Sequence, residues 1–576
     1  MRTVTNIIMK KKNEPLSGQK NFYFQDYDYS ENIKKPIVSG IDVSFNRVSF
    51  VFFVFVIIAL IYSLKIVYLA SIDNENYFVN NSYTKSIKTR QDIVDRNGNI
   101  LAKTVTFYDA AIRPELILDK KKLLINLKMI FPSLDIRDIR KKMNDEKYFY
   151  IKRKIKNIEK NKLWLLGDKS ISLDPRPGRI YPHKALFSHV IGQTDDKNLG
   201  ISGIEKKFDD YLKSSDNPLS LTLDSNLQFL IREELLKANE IFNSIGSAAL
   251  LMNAKNGEVL SLVSLPDFDL NARSKIDDPI YLNKITKGVY ELGSVFKTFT
   301  IAAGLETEKI KPNTIFTNLP KKIICGGKSI SEYSNKIPKN LSAEQILIRS
   351  SNIGAIKIAQ MVGSEKLKNF YKTLELFDRI NFELEEVGTP LPIKWENCTL
   401  ETASYGHGIT TTPLQLGKAY AVLVNGGYKI NPTLINNKFI NEKKEQIISK
   451  KTSNYIKNIL RQVVSKEEGT ANFAEIPGYD VAGKTGTAEK YNSEKQINTF
   501  VSFFPSNDPK YILVVLLDEP QAATEYVYTF KFQNNYKGSG YEYNTAGWNS
   551  VVVAGKIIEK IGPILAINNL QASINF

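Results

Sequence analysis

The pentapeptide Gly293-Ser294-Val295-Phe296-Lys297 places a serine three residues before a lysine, at the head of an apolar run. If the run from residue 294 to residue 303 is helical, this spacing puts the serine hydroxyl and the lysine amine on one face and within reach of each other. Serine needs a neighbouring base to act as a nucleophile, and lysine serves as that base when desolvation or a nearby positive charge lowers its pKa. The pentapeptide therefore predicts a nucleophile with its base, although Ser-x-x-Lys alone also occurs on solvated helix surfaces.

Two further motifs follow along the chain, Ser350-Ser351-Asn352 and Gly483-Lys484-Thr485-Gly486-Thr487. Their order and relative placement are those of the active-site motifs of penicillin-binding proteins and serine β-lactamases. Three motifs in register arise by chance far less often than one. From residue 48 to its end, the sequence resembles a class B high-molecular-weight penicillin-binding protein, which is a membrane-anchored peptidoglycan transpeptidase.

The composition indicates a folded protein of two or three domains. The chain has 576 residues, of which 43% are hydrophobic and 24% are charged. The net charge of +17 comes mainly from lysines spread over the whole chain, so it does not form the basic patch of a nucleic-acid-binding protein. Attraction to an anionic membrane or wall polymer is the milder consequence that we expect.

Cysteine and histidine are scarce in this sequence. The two cysteines, Cys325 and Cys398, exclude a C-x-x-C site, and they either form one bridge in an oxidising compartment or stay unpaired. The three histidines, His183, His189 and His407, are too scattered to predict a metal site. We therefore predict no metal, and the resemblance implies that the chemistry needs no organic cofactor.

Residues 48–64 form an uncharged apolar segment, and the apolar character continues past Lys65 to residue 70. At ~1.5 Å per residue, this segment can cross a hydrocarbon core of ~30 Å. It is too long for a signal-peptide core, so we predict an uncleaved transmembrane signal anchor over residues 48–70. Similar numbers of basic residues flank the segment on both sides, so the charge distribution does not determine its orientation in the membrane. The resemblance implies that the preceding tail, residues 1–47, is cytoplasmic, and we expect this tail to be disordered.

Residues 71–220 are similar to the non-catalytic pedestal, or dimerisation-type, domain of class B proteins. Its first landmark, residues 90–102, has an Asn97-Gly98 turn between two short strands, and the second spans residues 179–205. The lysine-rich sequence around residues 118–167 is predicted to be helical. Four charged residues are expected to be structural partners that hold the pedestal together: Arg90, Arg96, Arg179 and Glu205.

Residues 221–576 are predicted to form the transpeptidase domain, so that the chain as a whole belongs to the α+β class. Asp224 or Ser225 is expected to cap a helix at its start. A hairpin from residue 247 to residue 265 is expected to turn at Asn256-Gly257. The resemblance implies the fold of penicillin-binding proteins and β-lactamases, an antiparallel sheet flanked by helices.

The later motifs of this domain also have predicted settings. Residues 342–345 match a capping box for a helix that ends at Ser350, so the Ser-Ser-Asn motif is expected on a loop between helices. Strands over residues 499–504 and 511–517 are expected to join the Lys484 strand in an antiparallel sheet.

The resemblance assigns a catalytic role to four side chains. Ser294 would attack the carbonyl of the penultimate D-alanine of a stem peptide, and Lys297 would take its proton. Ser350 would pass a proton towards the leaving amine. Lys484 would help to keep Lys297 neutral, because like charges placed close together disfavour protonation.

The remaining motif residues are expected to bind substrate. Asn352 would hydrogen-bond the substrate amide, and Thr485 and Thr487 would hold the terminal carboxylate with their hydroxyls. Gly486 would leave room for a peptide laid along the strand edge. The backbone N–H groups of Ser294 and Thr487 would form the oxyanion hole.

Some features differ from the usual family pattern. Leu292 and Thr298 stand where proline is frequent, which changes the approach to the nucleophile helix without removing a functional group. The polar, tyrosine-rich residues 520–544 are expected to form a surface loop to which we assign no function.

The resemblance further implies that an amine of a neighbouring stem, meso-diaminopimelate in a Gram-negative wall, resolves the acyl-enzyme, and that β-lactams acylate Ser294. Tyr405-Gly-His-Gly408 and Asp518-Glu-Pro520 are typical of the division-specific branch. They imply work at the septum with a polytopic glycosyltransferase and other division proteins. We expect His407 to have a structural or substrate-orienting role.

Three alternatives remain open at this point. They are an elongation-specific class B transpeptidase, a β-lactam hydrolase or sensor, and a non-catalytic division scaffold. The pedestal landmarks disfavour the second, because a hydrolase does not need them. The presence of all motif residues disfavours the third.

Overall fold

The computed structural model describes residues 40–71, 89–145, 147–272, 279–391, 393–436, 445–491 and 493–574. The chain divides into two compact units, residues 1–87 and residues 88–576. The helices are α1 Gly40–Ser71, α2 Lys120–Ile130, α3 Ile136–Asp145, α4 Asn157–Leu165, α5 Ser188–Ile191, α6 Gly203–Lys207, α7 Asp209–Ser214, α8 Ser225–Ile241, α9 Lys297–Glu306, α10 Ala343–Ile348, α11 Asn352–Val362, α12 Ser364–Thr373, α13 Thr399–Ala403, α14 Pro413–Val424, α15 Lys450–Ser465 and α16 Ser550–Ile574. The strands are β1 Ile93–Val94, β2 Ile100–Ile112, β3 Phe149–Ile155, β4 Ile171–Ile180, β5 Leu219–Ser220, β6 Gly246–Asn253, β7 Val259–Leu265, β8 Ile315–Phe316, β9 Lys322–Cys325, β10 Lys328–Ser331, β11 Leu341–Ser342, β12 Ala482–Glu489, β13 Gln496–Phe504, β14 Tyr511–Asp518, β15 Tyr528–Phe530 and β16 Tyr536–Gly538.

The described part of the first unit is helix α1. Its segment Ser49–Tyr68, 20 residues long, has the length and apolar composition needed to cross a membrane. The large apolar side chains of this segment are exposed, unlike those of a core helix in a soluble protein. The helix begins at Gly40, so residues 40–47 of the predicted tail are helical instead of disordered. Residues 1–39 of that tail lie outside the described residues.

The pedestal is built on a five-stranded sheet of order β3-β2-β1-β5, with β4 also paired to β2. Helices α2, α3 and α4 supply Leu127, Ile139 and Leu163 to a separate apolar core beside this sheet. The prediction that the sequence around residues 118–167 is helical holds for α2, α3 and α4 but was wrong for β3. Lys152, Arg153 and Lys154 are consecutive there, and all three are exposed to solvent because β3 is the outer strand of the sheet.

The predicted charge partners of the pedestal meet at one buried carboxylate. Arg90 and Arg179 each donate to Glu205 at 2.6 Å, and all three side chains are almost inaccessible to solvent. A buried carboxylate needs such compensation because burial alone strongly disfavours its charge. Arg96 contacts Glu258 of the following domain instead, at 3.4 Å and in a partly exposed position. Three of the four expected partners therefore form a single network.

The transpeptidase domain contains a fully antiparallel sheet of order β12-β13-β14-β6-β7. Every residue of the central strand β14 is buried, so helices cover both faces of the sheet. Helices α8 and α16 pack on each other and on the sheet, as do α14 and α15. This arrangement confirms the predicted α+β fold, and it leaves β12, which carries Lys484, at a sheet edge.

Local sequence signals correctly located several element boundaries. Of the two cap candidates, Asp224 is the N-cap of α8, accepting from the N–H groups of Asn226 and Leu227. Ser342 and Gln345 form the predicted capping box of α10. That helix ends at Ile348, two residues earlier than predicted, and leaves the Ser-Ser-Asn motif between α10 and α11.

The stretch from residue 520 to residue 544 is more than a surface loop. Strands β15 and β16 pair within it, and Tyr528 is buried. Its rings pack against Phe473 and Trp548 from neighbouring segments. A tyrosine-rich stretch that looks polar in sequence thus forms a small aromatic core, because the rings bury apolar area while the buried Tyr528 hydroxyl donates to the Trp548 carbonyl at 3.1 Å.

The two cysteines are paired. Cys325 at the end of β9 and Cys398 just before α13 form a disulfide across 73 residues of sequence. It connects the β9–β10 hairpin to the segment that leads to Gly406 and His407.

Candidate active site

Ser294 lies in a single turn of 3₁₀-helix, Gly293–Phe296, that leads directly into α9. The predicted helix over residues 294–303 is therefore tighter in its first turn, and Ser294 is half-buried at the wall of a cleft of about 990 Å³. The turn lies against β12. A Cβ at Gly293, whose φ is +60°, would overlap the Thr487 carbonyl oxygen, and a Cβ at Gly486 would overlap that of Leu292.

This close contact supplies the reason for glycine at residue 486. Side chains alternate along a strand, so the Cα hydrogen of Gly486 faces the nucleophile turn while Thr485 and Thr487 face the cleft. From the sequence, this glycine was expected to leave space for substrate. In the structure, the nucleophile turn itself requires the missing side chain.

Ser350 is the point at which the three motifs meet. The Lys297 ammonium donates to its carbonyl oxygen at 2.6 Å and to its Oγ at 3.1 Å, and Lys484 Nζ lies 3.0 Å from the same Oγ. Ser350 has a φ of +56°, which is uncommon for serine. This backbone conformation turns its hydroxyl towards both lysines.

The two lysines are fully buried, and burial is the main cause that lowers both pKa values. The pKa of Lys297 falls to about 7, with the negative charge of Glu332 acting in the opposite direction. The pKa of Lys484 is lowered by burial and then by the nearby charge of Lys297. Of the two expected causes, desolvation and a nearby positive charge, desolvation contributes most to both shifts.

The predicted contact between the Ser294 hydroxyl and Lys297 is replaced by other hydrogen bonds. The Lys297 ammonium donates to Asn352 Oδ1 at 2.6 Å in addition to its two bonds with Ser350. Within the described residues, no hydrogen bond joins Ser294 to Lys297. Catalytic hydrogen bonds are often long before substrate binds, so this geometry is compatible with later proton transfer.

The hydroxyl groups of β12 have defined partners. Thr485 Oγ1 lies 2.8 Å from Thr470 Oγ1 and 3.3 Å from Lys484 Nζ. Thr487 Oγ1 accepts from the N–H of Ala546 at 3.0 Å, which leaves its own hydrogen available to donate. Both threonines and Asn352 line the cleft with Ser294. The structure therefore brings together all the residues singled out in the three motifs.

His407 lines the same cleft and pairs with Glu291 across 3.3 Å. This carboxylate raises the pKa of His407 above its ordinary value. His189, by contrast, is buried against the carbonyl of Ile280, and burial lowers its pKa to about 4. In the described ranges, His, Cys, Asp and Glu do not form any group of three or more that could hold a metal ion.

Several site residues escaped the sequence analysis because no local motif marks them. Thr470 reaches the cleft from the segment after α15, and Glu332 contacts the Ser350 motif from the segment after β10. The unassigned stretch after residue 520 contributes Phe530 and Phe532 to the cleft wall. These residues are distant from the motifs in sequence, and the tertiary fold brings them into contact.

Comparison with known families agrees with this geometry. A family model described as the penicillin-binding protein transpeptidase domain matches residues 247–535, and one described as the penicillin-binding protein dimerisation domain matches residues 86–236. The chain belongs to the penicillin-binding protein transpeptidases. The pairing of the two domains is the class B arrangement that the motifs and pedestal landmarks predicted.

Relatives of this transpeptidase extend over most of its length. It is 31% identical to the probable peptidoglycan D,D-transpeptidase FtsI of Caulobacter vibrioides, with 83% of this chain and 82% of the relative covered. It is 27% identical to the peptidoglycan D,D-transpeptidase FtsI of Buchnera aphidicola, with 84% and 92% covered. The crystal structure of penicillin-binding protein 3 from Mycobacterium tuberculosis, complexed with aztreonam, matches with a TM-score of 0.63 and 21% identity over 82% of this chain and 96% of that one. At that identity, the structural match shows the shared fold.

Proposed function

We propose that this protein is a peptidoglycan D,D-transpeptidase that cross-links stem peptides at the division septum through an acyl-enzyme on Ser294. One observation carries the proposal: two buried lysines converge on the Ser350 hydroxyl in the cleft that Ser294 lines. Burial brings the pKa of Lys297 to about 7, where a lysine can accept a proton. The names of the relatives support the same reaction.

The acylation step follows from these positions. Neutral Lys297 takes the Ser294 proton while Oγ attacks the carbonyl carbon of the penultimate D-alanine. The backbone N–H groups of Ser294 and Thr487 stabilise the oxyanion. Ser350 delivers its proton to the departing nitrogen and takes one in its place from the protonated Lys297, whose ammonium lies 3.1 Å from the Ser350 Oγ. The peptide bond breaks and the terminal D-alanine leaves as an amine.

Substrate is held along β12. This strand is at the sheet edge, so an extended stem peptide can add to it by backbone pairing. Thr485 and Thr487 bind the terminal carboxylate, and Asn352 binds the substrate amide. An amine of a second stem, meso-diaminopimelate in a Gram-negative wall, then attacks the acyl-enzyme and forms the cross-link. β-Lactams imitate the D-Ala-D-Ala end and acylate Ser294.

Helix α1 anchors the protein in a membrane, which we propose to be the bacterial inner membrane, with the N-terminus in the cytoplasm and the catalytic domain in the periplasm. The Cys325–Cys398 disulfide supports this orientation, because disulfides persist outside the reducing cytoplasm. The helix and the pedestal contact a polytopic septal glycosyltransferase and other division proteins.

A fluorescent penicillin tests the reaction. The full-length protein in detergent should form a long-lived adduct, and Ser294→Ala should form none. Rapid loss of the adduct would favour the β-lactam hydrolase alternative. A Ser294→Ala chain that still supports division would establish the scaffold alternative, and absence of any adduct on the wild type would refute an acylating site.

A further inference from the structure

Ser331, the last residue of β10, and Glu332 after it accept four hydrogen bonds from residues 351–353. The Glu332 carboxylate accepts from Ser351 Oγ at 2.5 Å, from the N–H of Asn352 at 2.7 Å and from the N–H of Ile353 at 3.3 Å. The carbonyl of the preceding residue, Ser331, accepts from Asn352 Nδ2 at 2.8 Å. Two consecutive residues thus contact the backbone and side chains of the motif.

These contacts stabilise the first turn of α11. The first N–H groups of a helix have no partners within it, and a negative charge is favourable at that end. Ser351 is the N-cap and accepts from the N–H of Gly354 at 2.9 Å, while its own hydrogen is donated to Glu332. Glu332 therefore stabilises the start of α11 at Asn352, whose N-cap, Ser351, directly follows Ser350.

The start of α11 determines the direction of two proposed active-site groups. Ser350 is held at a φ of +56°, which serine adopts only when the surrounding structure imposes it. Asn352 is oriented from two sides, since Oδ1 accepts from Lys297 and Nδ2 donates to Ser331. Loss of the Glu332 contacts would let both side chains move away from Lys297.

Charge adds a second effect. The Glu332 charge raises the pKa of Lys297, and the Lys297 charge lowers the pKa of Lys484 on β12. The groups of the α10–α11 loop that accept from Lys297 are uncharged. Among the described residues, the other charged side chains at the cleft wall make no hydrogen bond to Lys297; they are Glu291, Lys336, His407, Glu467, Glu468, Glu489 and Lys531. Removal of the Glu332 charge should lower the pKa of Lys297 further.

We propose that Glu332 is a positioning residue of this transpeptidase, which directs Ser350 and Asn352 towards the reacting groups through the first turn of α11 without touching substrate. This inference rests on the proposed function.

The test is the acylation rate of the full-length protein in detergent with a fluorescent penicillin, measured from pH 5 to pH 9. Glu332→Ala and Glu332→Gln should slow acylation by about 10- to 100-fold, the usual consequence of a small misplacement at an active site. Both should also move the acidic limb of the pH profile to lower pH, because a neutral side chain no longer favours protonated Lys297. Glu332→Asp keeps the charge, so it should restore the limb to the wild-type position and part of the rate.

A matched control lies at the far end of α9. Glu306 accepts from the N–H and Oγ of Ser449, the N-cap of α15, at 3.0 and 2.7 Å, so it makes the same kind of cap away from the cleft. Glu306→Gln should keep the wild-type rate and pH profile.

Three results would overturn the inference. These are a wild-type rate and profile in Glu332→Gln, a slower rate with an unmoved acidic limb, and an equal change in Glu306→Gln. None of these results depends on Glu332→Ala, so the test holds even if the alanine variant fails to fold. A wild-type protein that is not labelled at Ser294 would instead refute the proposed function, which separates the two failures.

Discussion

At the scale of single residues, the pKa of Lys297 leads to a prediction about how the acylation rate depends on pH. If neutral Lys297 is the base, acylation should fall about tenfold per pH unit below pH 7, because its pKa is about 7. Lys297→Arg keeps the positive charge and cannot lose its proton near neutrality, so its acylation should be slower by about 100- to 10,000-fold. Stopped-flow fluorescence with a labelled penicillin measures both. Wild-type acylation in Lys297→Arg would exclude Lys297 as the base.

Gly486 leads to a second prediction at this scale. A methyl group there would overlap the Leu292 carbonyl oxygen, which is backbone and cannot rotate away. Gly486→Ala should therefore displace the nucleophile turn and slow acylation by about 100-fold. Covalent labelling at a series of times gives the rate. The substitution leaves Thr485 and Thr487 on the opposite face of β12, so a slower rate would report on the nucleophile turn. An unchanged rate would show that the position of the turn does not depend on the contact with Gly486.

At the scale of elements, the Cys325–Cys398 disulfide connects the β9–β10 hairpin to the segment before α13. Cys398→Ser removes a covalent loop of 73 residues. The expected loss in the free energy of unfolding is about 2–4 kcal/mol, because the unfolded chain regains freedom. Thermal denaturation should show a lower Tm for Cys398→Ser, and reduction of the wild type with a thiol should give the same decrease. Equal Tm values for oxidised and reduced protein would contradict a stabilising role.

At the scale of the whole molecule, membrane attachment and the septal role can be separated. A chain in which an unrelated transmembrane helix replaces residues 48–70 should still fractionate with membranes, since length and apolar composition suffice for a span. If α1 contacts the septal glycosyltransferase, this chimera should fail to support division after depletion of the wild type. Microscopy of cells depleted of the protein shows whether it acts in division or in elongation. Filamentous cells would support the septal role, whereas round cells would show that the protein serves cell elongation.

The sequence by itself determined which groups are candidates for the reaction. Ser294 and Lys297 lie within one helix turn and Lys484 lies on a strand, and such local geometry depends on neighbouring residues alone. Ser350, on a loop between helices, was predicted from the resemblance of its motif to the family. The apolar span of α1, the capping box at Ser342 and the sheet strands were also predictable, because their signals are local.

The tertiary structure decided which residues support that chemistry. Glu332 reaches the Ser350 motif, Thr470 reaches β12, and Cys325 meets Cys398 through contacts between distant segments. The lowered pKa of Lys297 also depends on the tertiary structure, because its main cause is burial in the folded domain. A local pattern identifies the candidate reacting groups, whereas desolvation and long-range hydrogen bonds exist only once the chain has folded.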